Sequence, residues 1–508
     1  MADITKGSCP AKICATCIAP FTITEADLAF YEKAGPVIGG NSYAFNPPLH
    51  CPDCRAKRRL TWRNERSLYP RKCDLTGKPI VSIYAPEKPY KVYDREAWWG
   101  DGWDATDYGR AFDFSRPFFD QIAELLLVVP KAAVISIAVE NSTYCNFQND
   151  SKSCYLTFGS GFMEDCQYCD WTYNAKNTFD CSFCTRSELD TMNVDCRDTY
   201  HSAFCTDCQN VSDSAYCFDC RNCQNCFGCV GLRNKSYYIF NTPYSHEEYA
   251  KKVAESKKPE MTSTVAAEFE KLKLAHPHLS SRIFNSEACS GDDIYNSKNC
   301  IHSFGVRDMQ DCSYITDAFS MKDCMDANRS GLSELTYEIA GGGYSQRVAF
   351  SFLSCYCSFS CYMIECMNVK NCFGCVGLKQ KEYCILNKQY TKEEYEEMVP
   401  RIIEHMKKPI ASTASEWGEF FPPSIGLFSY NEAIAQDFYP LTKAQALKEG
   451  FLWRDATREM KEFKLTPQEI AFYKKEGLPL PTLHPNERYR ERLARKLPRR
   501  LWDRTCGE

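Results

Sequence analysis

CFDCRNCQNCFGCVGL, residues 217–232, sets a cysteine at every third position: Cys217, Cys220, Cys223, Cys226 and Cys229. Its second half returns later in the chain, because NCFGCVGL at 225–232 recurs letter for letter at 371–378. At that offset of 146, Lys235 meets Lys381, Tyr237 meets Tyr383, Asn241 meets Asn387, and Glu247-Glu248-Tyr249 meets Glu393-Glu394-Tyr395. The middle of the chain is a tandem duplication, and a repeat of this kind has to be found before a fold is assigned.

The two copies constrain the cysteines. Cys220, Cys226 and Cys229 meet Cys366, Cys372 and Cys375, but Cys217 meets Met363 and Cys223 meets Val369. A metal ligand or disulfide partner loses its bond on becoming Met or Val, whereas a buried thiol packing as a small hydrophobe does not. Packed thiols are therefore favoured for this region over metal clusters or redox pairs.

A chain of 508 residues with 44% hydrophobic residues is long enough for several domains and a large core. The anomaly is its 32 cysteines. Residues 1–20 hold no apolar signal segment, so the cysteines point to a reducing cytoplasm rather than a disulfide scaffold. The most apolar run, 122–139, is broken by Glu124, Pro130 and Lys131; it reads as a buried helix followed by a strand, and no membrane span is expected. The net charge of −5 is uneven: 51–73 carries eight basic and two acidic side chains, 484–506 carries eight and three, and the rest is acidic. Basic ends on an acidic body would meet a charged partner mainly through the ends.

Near the N-terminus, Cys14-x2-Cys17 and Cys51-x2-Cys54 form two knuckles. Each CxxC turn offers two thiolates from one bend, and a pair of turns completes the tetrahedral set of a structural zinc site. Thr24 caps an expected helix at 25–33, and a Gly/Asn/Pro loop fills 35–48. Cys73-x2-Thr76-Gly77 resembles a further knuckle lacking its second ligand, and is not assigned as a second site. From Arg55 onward, RAKRRLTWRNERSL has helix-forming composition and sets Arg55, Arg59, Arg63 and Arg66 along one side. With Lys57 and Arg71 these form a row suited to following phosphates.

The C-terminal segment reads as a worn copy of this unit. Phe21-Thr22-Ile23-Thr24 and Ala29-Phe30-Tyr31 match Phe463-Lys464-Leu465-Thr466 and Ala471-Phe472-Tyr473. Arg55, Lys57, Arg59, Arg63, Arg66 and Arg71 align with Arg488, Arg490, Arg492, Lys496, Arg499 and Arg504, and Cys73 with Cys506. The ligands are lost: His484 and Glu487 replace Cys51 and Cys54, and Ala456 and Glu459 fall at the first knuckle. Basic positions kept while all four ligands go suggest that the basic row is constrained and the metal dispensable. A His484/Glu487 metal pair is a weak alternative.

Between the ends, the aromatic-rich connector containing Trp98, Trp99, Trp103, Phe112, Phe114, Phe118 and Phe119 is expected to pack as core rather than stack on bases. Residues 141–241 hold 14 cysteines, many 12 apart, such as Cys154 and Cys166, Cys196 and Cys208, and, in the second copy, Cys300, Cys312 and Cys324. Short strands between Asn/Asp/Ser turns at a fixed repeat predict a parallel β-solenoid with internal thiol ladders, although spacings of 15 compete for the coil length. Capping boxes at Ser245-x-x-Glu248 and Thr391-x-x-Glu394 predict closing helices at 247–258 and 393–408; another helix is expected at 261–274, and Thr442-x-x-Gln445 with Gly450 brackets a short one.

The fold class expected is α+β and mainly β: a tandem-duplicated, cysteine-rich parallel β-solenoid with capping helices, flanked by an N-terminal zinc ribbon and a degenerate C-terminal copy. The boundaries are 1–75 for the ribbon and basic helix, 76–140 for the connector, 141–280 and 281–415 for the solenoid copies, and 416–508 for the metal-free copy. A CPDCR ribbon, an NCFGCVGL repeat body and an FxLTxxExAFY unit, in that order, resemble uncharacterised cysteine-rich, zinc-ribbon-containing repeat proteins of small-genome uncultivated bacteria. The likeness covers most of the chain and implies no activity; this chain departs from that group in a terminal ribbon without cysteines.

For function, these observations lead to a non-enzymatic scaffold containing Zn2+, whose basic ends bind nucleic acid, RNA or the ribosome. A thiol-rich metal-storage or redox protein and a structural subunit of a larger protein assembly are the alternatives. The chain contains no P-loop, GxGxxG, GxSxG or HExxH motif, and its eight scattered histidines form no evident acid/base constellation or small-molecule site. Gly341-Gly342-Gly343 reads as a turn.

Overall fold

In a computed structural model of the chain, the described residues are 11–258, 261–409, 415–455, 463–503 and 505. They fall into two compact units that ignore chain order. One comprises Met1–Ala133, Ser281–Arg454 and Arg499–Glu508; the other comprises Val134–Ser280 and Asp455–Pro498. The four-cysteine segment thus belongs with the second cysteine-rich stretch, and Asp455–Pro498 of the C-terminal segment with the first.

The first coil, in the second of these units, runs from strand Ser136–Glu140 through Gln148–Lys152 and Gly161–Glu164 to Arg221–Phe227 and Ser236–Ile239, every strand parallel to the next. The register resolves its length: Gly161 pairs with Tyr173, Thr185 with Arg197 and Gln209 with Arg221, so one turn takes 12 residues. The competing spacing of 15 is one turn plus one triplet.

Each turn is four triplets. Every third residue has a left-handed backbone, as at Asp165 (φ 52°), Tyr168 (60°), Trp171 (47°), Asn174 (53°), Asn177 (48°) and Asp180 (50°). Asn and Asp tolerate that conformation better than other non-glycine residues, which is why they recur at these steps. The residue after each step points inward, so Cys166, Cys169, Thr172, Ala175, Thr178 and Cys181 are all buried.

That geometry explains the cysteines. The bore of these 12-residue turns is lined largely by cysteines, with Met163, Ala175 and Val211 among them, and it leaves backbone carbonyls to satisfy. Thiols donate to the carbonyl two residues back, Cys166 to Glu164 at 3.2 Å and Cys184 to Ser182 at 3.4 Å. Ser and Thr do the same, as in Ser151 to Asn149 at 2.8 Å and Thr172 to Asp170 at 3.1 Å. The thiol joins this pattern as a weak donor while still packing as an apolar group. All described cysteines are free.

The second coil, in the other unit, keeps the same step, with Gly291 opposite Ser303 and Cys361 opposite Phe373. Its core mixes Cys300, Cys312, Cys324, Cys366, Cys372 and Cys375 with Met363 and Val369. The residues that replace cysteine between the copies therefore sit in the same apolar column as the cysteines. Gly341, Gly342 and Gly343 are not a turn; they end strand Tyr337–Gly343. Gly341 has φ +78°, and a Cβ there would lie 2.2 Å from Nη1 of Arg63, so only glycine lets that guanidinium rest on the strand.

Helices His246–Ser256 and Lys392–Lys407 each begin with the expected capping box, and Thr262–Ala275 follows the first. Tyr249 packs with Phe227, Ile239 and Val265, while Tyr395, Val399, Ile402, Ile403 and Met406 bury one face of the later helix. In the connector, helix Phe118–Val128 has no cap of its own. The Glu416 carboxylate supplies one, accepting from the Phe118 and Phe119 amides at 2.8 and 2.9 Å. The connector's aromatic side chains mainly pack: Phe118 lies 5.0 Å from Tyr362 and 5.5 Å from Phe373, and Trp98 and Trp103 flank the Lys379 ammonium at 4.9 and 4.7 Å. No helix among the described residues is long and apolar enough to cross a membrane.

Candidate metal centre

Two local bends bring four sulfurs together. The first is a hairpin of Lys12–Ile13 with Pro20–Phe21, whose turn carries Cys14 and Cys17 and is closed by the Cys14 amide on Ala19 at 2.9 Å and by Ile18 at φ 62°. The second is the start of helix Pro52–Leu60, with Cys51 at its N-cap and Cys54 in its first turn. Ala15 N–H to the Leu49 carbonyl at 3.0 Å and Thr16 Oγ1 to His50 Nδ1 at 2.9 Å tie the bends together.

The ligand atoms of Cys14, Cys17, Cys51 and Cys54 all lie within 4.8 Å of one another, and this group could hold a metal ion. Cys17 Sγ and Cys51 Sγ are 3.7 Å apart. Four thiolates at bonds of about 2.3 Å in a tetrahedron have edges of about 3.8 Å, so the spacing suits a tetrahedral ion. The Cys51 amide donates to Cys14 Sγ at 3.3 Å, an outer contact that favours a thiolate. Cys51 is pulled down to about 5, chiefly as acceptor from the Cys54 thiol, whose own proton is held by that same hydrogen bond and by burial. His50 stays outside the set: burial, reinforced by the Arg58 charge, lowers it to about 4, so it is neutral at pH 7.

Among the described residues this is the one group of at least three such side chains close enough for shared coordination. The thiol columns of the coils do not converge in fours. Cys73 Sγ accepts instead from the amides of Thr76 at 3.3 Å and Asp94 at 3.2 Å, and Cys506 lies outside the described residues.

The basic rows are placed differently from the exposed phosphate track read from the sequence. The N-terminal helix stops at Leu60, so Arg63 and Arg66 lie beyond it. Arg55, Lys57, Arg58, Arg59 and Arg63 are buried. Arg55 pairs with Asp326 at 2.8 Å, Arg59 with Asp326 at 3.2 Å and with Glu338, Lys57 with Glu449, Arg58 with Glu419 at 2.8 Å, and Arg63 with Glu65 at 2.6 Å. Arg66 is half-buried, and Arg71 donates to the carbonyls of Ala85 at 3.2 Å and Tyr90. A buried guanidinium is retained only where carboxylates neutralise it; the coil supplies Asp326 and Glu338 for Arg55 and Arg59, and acids outside the coil serve the others.

The C-terminal row is placed similarly in its own unit. On helix Pro485–Arg495, Arg488 pairs with Asp180 and with Glu469 at 2.9 Å, and Arg492 pairs with Asp180 at 2.7 Å. Lys496 pairs with Asp195 at 2.6 Å, Arg490 is exposed, and Arg504 lies outside the described residues; Arg499 belongs to the other unit and pairs there with Asp317. His484 and Glu487 cap the helix, His484 Nδ1 accepting from Asn486 at 3.1 Å and the Glu487 carboxylate accepting from the His484 amide at 3.3 Å. The weak His484/Glu487 metal alternative thus gives way to a capping role. Ala456 and Glu459 lie outside the described residues.

The acids facing these rows escaped the sequence reading. Asp180 and Asp326 are related by the same offset of 146 as the NCFGCVGL repeat, and so are Tyr168 and Tyr314, which lie under Arg488 at 4.5 Å and Arg55 at 5.4 Å. That shared offset was the available signal. No protein-family model matches the chain, and a search of curated proteins returns no match.

Proposed function

We propose that the chain is a non-enzymatic scaffold whose N-terminal segment is a zinc ribbon, with Zn2+ held by Cys14, Cys17, Cys51 and Cys54, and whose C-terminal segment is a metal-free counterpart of it. One observation carries this reading: the two-arginine contact on one aspartate is built twice, once beside four gathered thiols and once without any. Thr24 and Thr466 open the preceding helices with the same capping box, and Asp27 and Glu469 fill its third position. The ion therefore has a local task, holding together a segment whose docking is achieved by side chains. With four protein ligands and no open position, the site is structural in type rather than catalytic.

The absence of further gathered thiols among the described residues gives no support to metal storage. Nucleic-acid binding to RNA or the ribosome draws no support from rows already paired with carboxylates. The remaining role is that of a rigid part in a protein assembly. Metal analysis of the purified chain tests the reading, with about one zinc per chain expected from a single four-thiolate site. Several metal equivalents, or visible absorbance from an iron–sulfur or copper cluster, would overturn it in favour of metal storage.

A further inference from the structure

Away from the four thiols, Lys131 and Glu365 form a buried pair of opposite ionisable groups that do not meet at hydrogen-bond distance. Lys131 lies in the short strand Lys131–Ala132 of the connector, fixed by its amide on the Lys91 carbonyl at 2.8 Å. Glu365 follows strand Ser358–Ile364 of the second coil, and its amide is held by the Phe352 carbonyl at 2.8 Å. Both belong to one unit. The Lys131 side chain is 0% exposed and that of Glu365 4%, and Nζ stands 3.8 Å from Oε2. Neither of those two atoms has a hydrogen-bond partner. On the far side, the buried Tyr84 hydroxyl donates to Glu365 Oε1 at 3.0 Å, and its ring stacks on Phe428 at 5.2 Å.

An ordinary buried ion pair closes to hydrogen-bond distance and has its remaining donors satisfied. This one does neither. Burial lowers the lysine and raises the carboxyl, which favours a neutral amine facing a neutral acid. Backbone hydrogen bonds hold both groups in place, as an intramolecular reaction requires.

We propose that Lys131 and Glu365 are the two halves of an intramolecular isopeptide bond, with Tyr84 as the group that polarises the carboxyl. The Nζ lone pair attacks Cδ of the protonated carboxyl while the Tyr84 hydroxyl, hydrogen-bonded to Oε1, stabilises the charge developing there. A C–N bond forms, and the C–Oε2 bond breaks. Oε2 leaves as water, carrying the acid proton and one amine proton, so the amide retains one N–H. The step is a condensation without electron transfer and needs no co-reactant. Its product replaces two desolvated ionisable groups with one neutral amide and links the connector covalently to the coil.

Peptide mapping of the denatured, metal-stripped full chain is the test. With the bond present, trypsin does not cut after Lys131, and the peptide beginning at Ala111 is recovered joined to the peptide 348–370, lighter by one water than the two together. Recovery of a linear peptide 111–131 together with free 348–370 from the native chain overturns the proposal, whatever any variant does. Lys131→Met keeps the apolar stem and should release 348–370 as a linear peptide; a branch at Glu365 in that variant would also overturn the assignment. Tyr84→Phe should lower the linked fraction at early times after synthesis, and an unchanged fraction would remove Tyr84 from the mechanism.

Discussion

Asp180 and Asp326, separated by the repeat offset of 146, each receive two arginines from a single helix: Arg488 and Arg492 on Asp180, Arg55 and Arg59 on Asp326. All six side chains are essentially withdrawn from water. Removing one aspartate leaves two desolvated guanidinium groups with a single carboxylate beside them, Glu338 in one unit and Glu469 in the other, and breaking a buried pair in this way costs about 3–5 kcal/mol. Asp326→Ala and Asp180→Ala should each lower stability by about that amount in urea unfolding followed by tryptophan fluorescence and circular dichroism. An unchanged midpoint in either variant would show that these contacts hold nothing in place.

Removing the metal should act locally. Chelation, or Cys14→Ser, should release the bound equivalent and increase hydrogen exchange in residues 12–60, while the amides of helix Pro467–Lys475, which has no thiol cluster, keep their protection. Equal loosening of both segments would mean that the ion does more than hold the four-cysteine segment.

Asp190 sits in the bore of the first coil, where its Oδ1 accepts from the Ser202 amide at 2.9 Å and its Oδ2 from the Thr199 hydroxyl. Burial lifts it to about 7, above the ordinary aspartate value near 3.9. The folded state then holds a proton that the unfolded chain has released between about pH 4 and pH 7, so stability falls as pH rises through that window and is level above it. The size is about 2–4 kcal/mol. Asp190→Asn, which keeps an acceptor for Ser202, should remove this component. Subtracting its pH–stability curve from that of the native chain checks the prediction, and a flat difference would refute it.

Thiol labelling separates packed from reactive cysteines. Cys17 is exposed, Cys289 and Cys355 are half-buried, and the other described cysteines are buried. Native alkylation of the metal-loaded chain should stay confined to a few sites, with the coil cysteines reacting only in denaturant. Cys223→Val, which installs the residue found at position 369, should cost less than about 1.5 kcal/mol and leave metal content unchanged. Loss of metal in that variant would return the coil thiols to coordination chemistry.

Much of this architecture could be read in the chain because the repeat is strict. A cysteine every third residue and every twelfth residue is the imprint of the triplet and the turn, and Ser245, Thr391 and Thr24 marked helix starts through local hydrogen bonds. The left-handed steps were harder to see, because Tyr168 and Trp171 occupy them as readily as Asp165 does, and only repetition makes an aromatic residue acceptable there. The four sulfurs were legible because a knuckle is local. Arg55 and Arg59 were misjudged for the opposite reason: a basic helix has the same composition whether water or Asp326 faces it, and the acid lies far along the sequence. Lys131 and Glu365 leave no local pattern at all.

Arg59 and its coil partner Asn328 are 269 residues apart in the chain. During synthesis the four-cysteine segment therefore emerges with Arg55 and Arg59 uncompensated, and it waits for the first coil to be finished and the second to be well advanced before Asp326 and Glu338 arrive. The C-terminal segment has no such delay, since Asp180 is already folded when Arg488 and Arg492 leave the translation machinery. Four gathered thiols at the early segment and no such group among the described residues of the late one match that difference: on the proposed function, the part that must persist alone is the part that can carry its own staple.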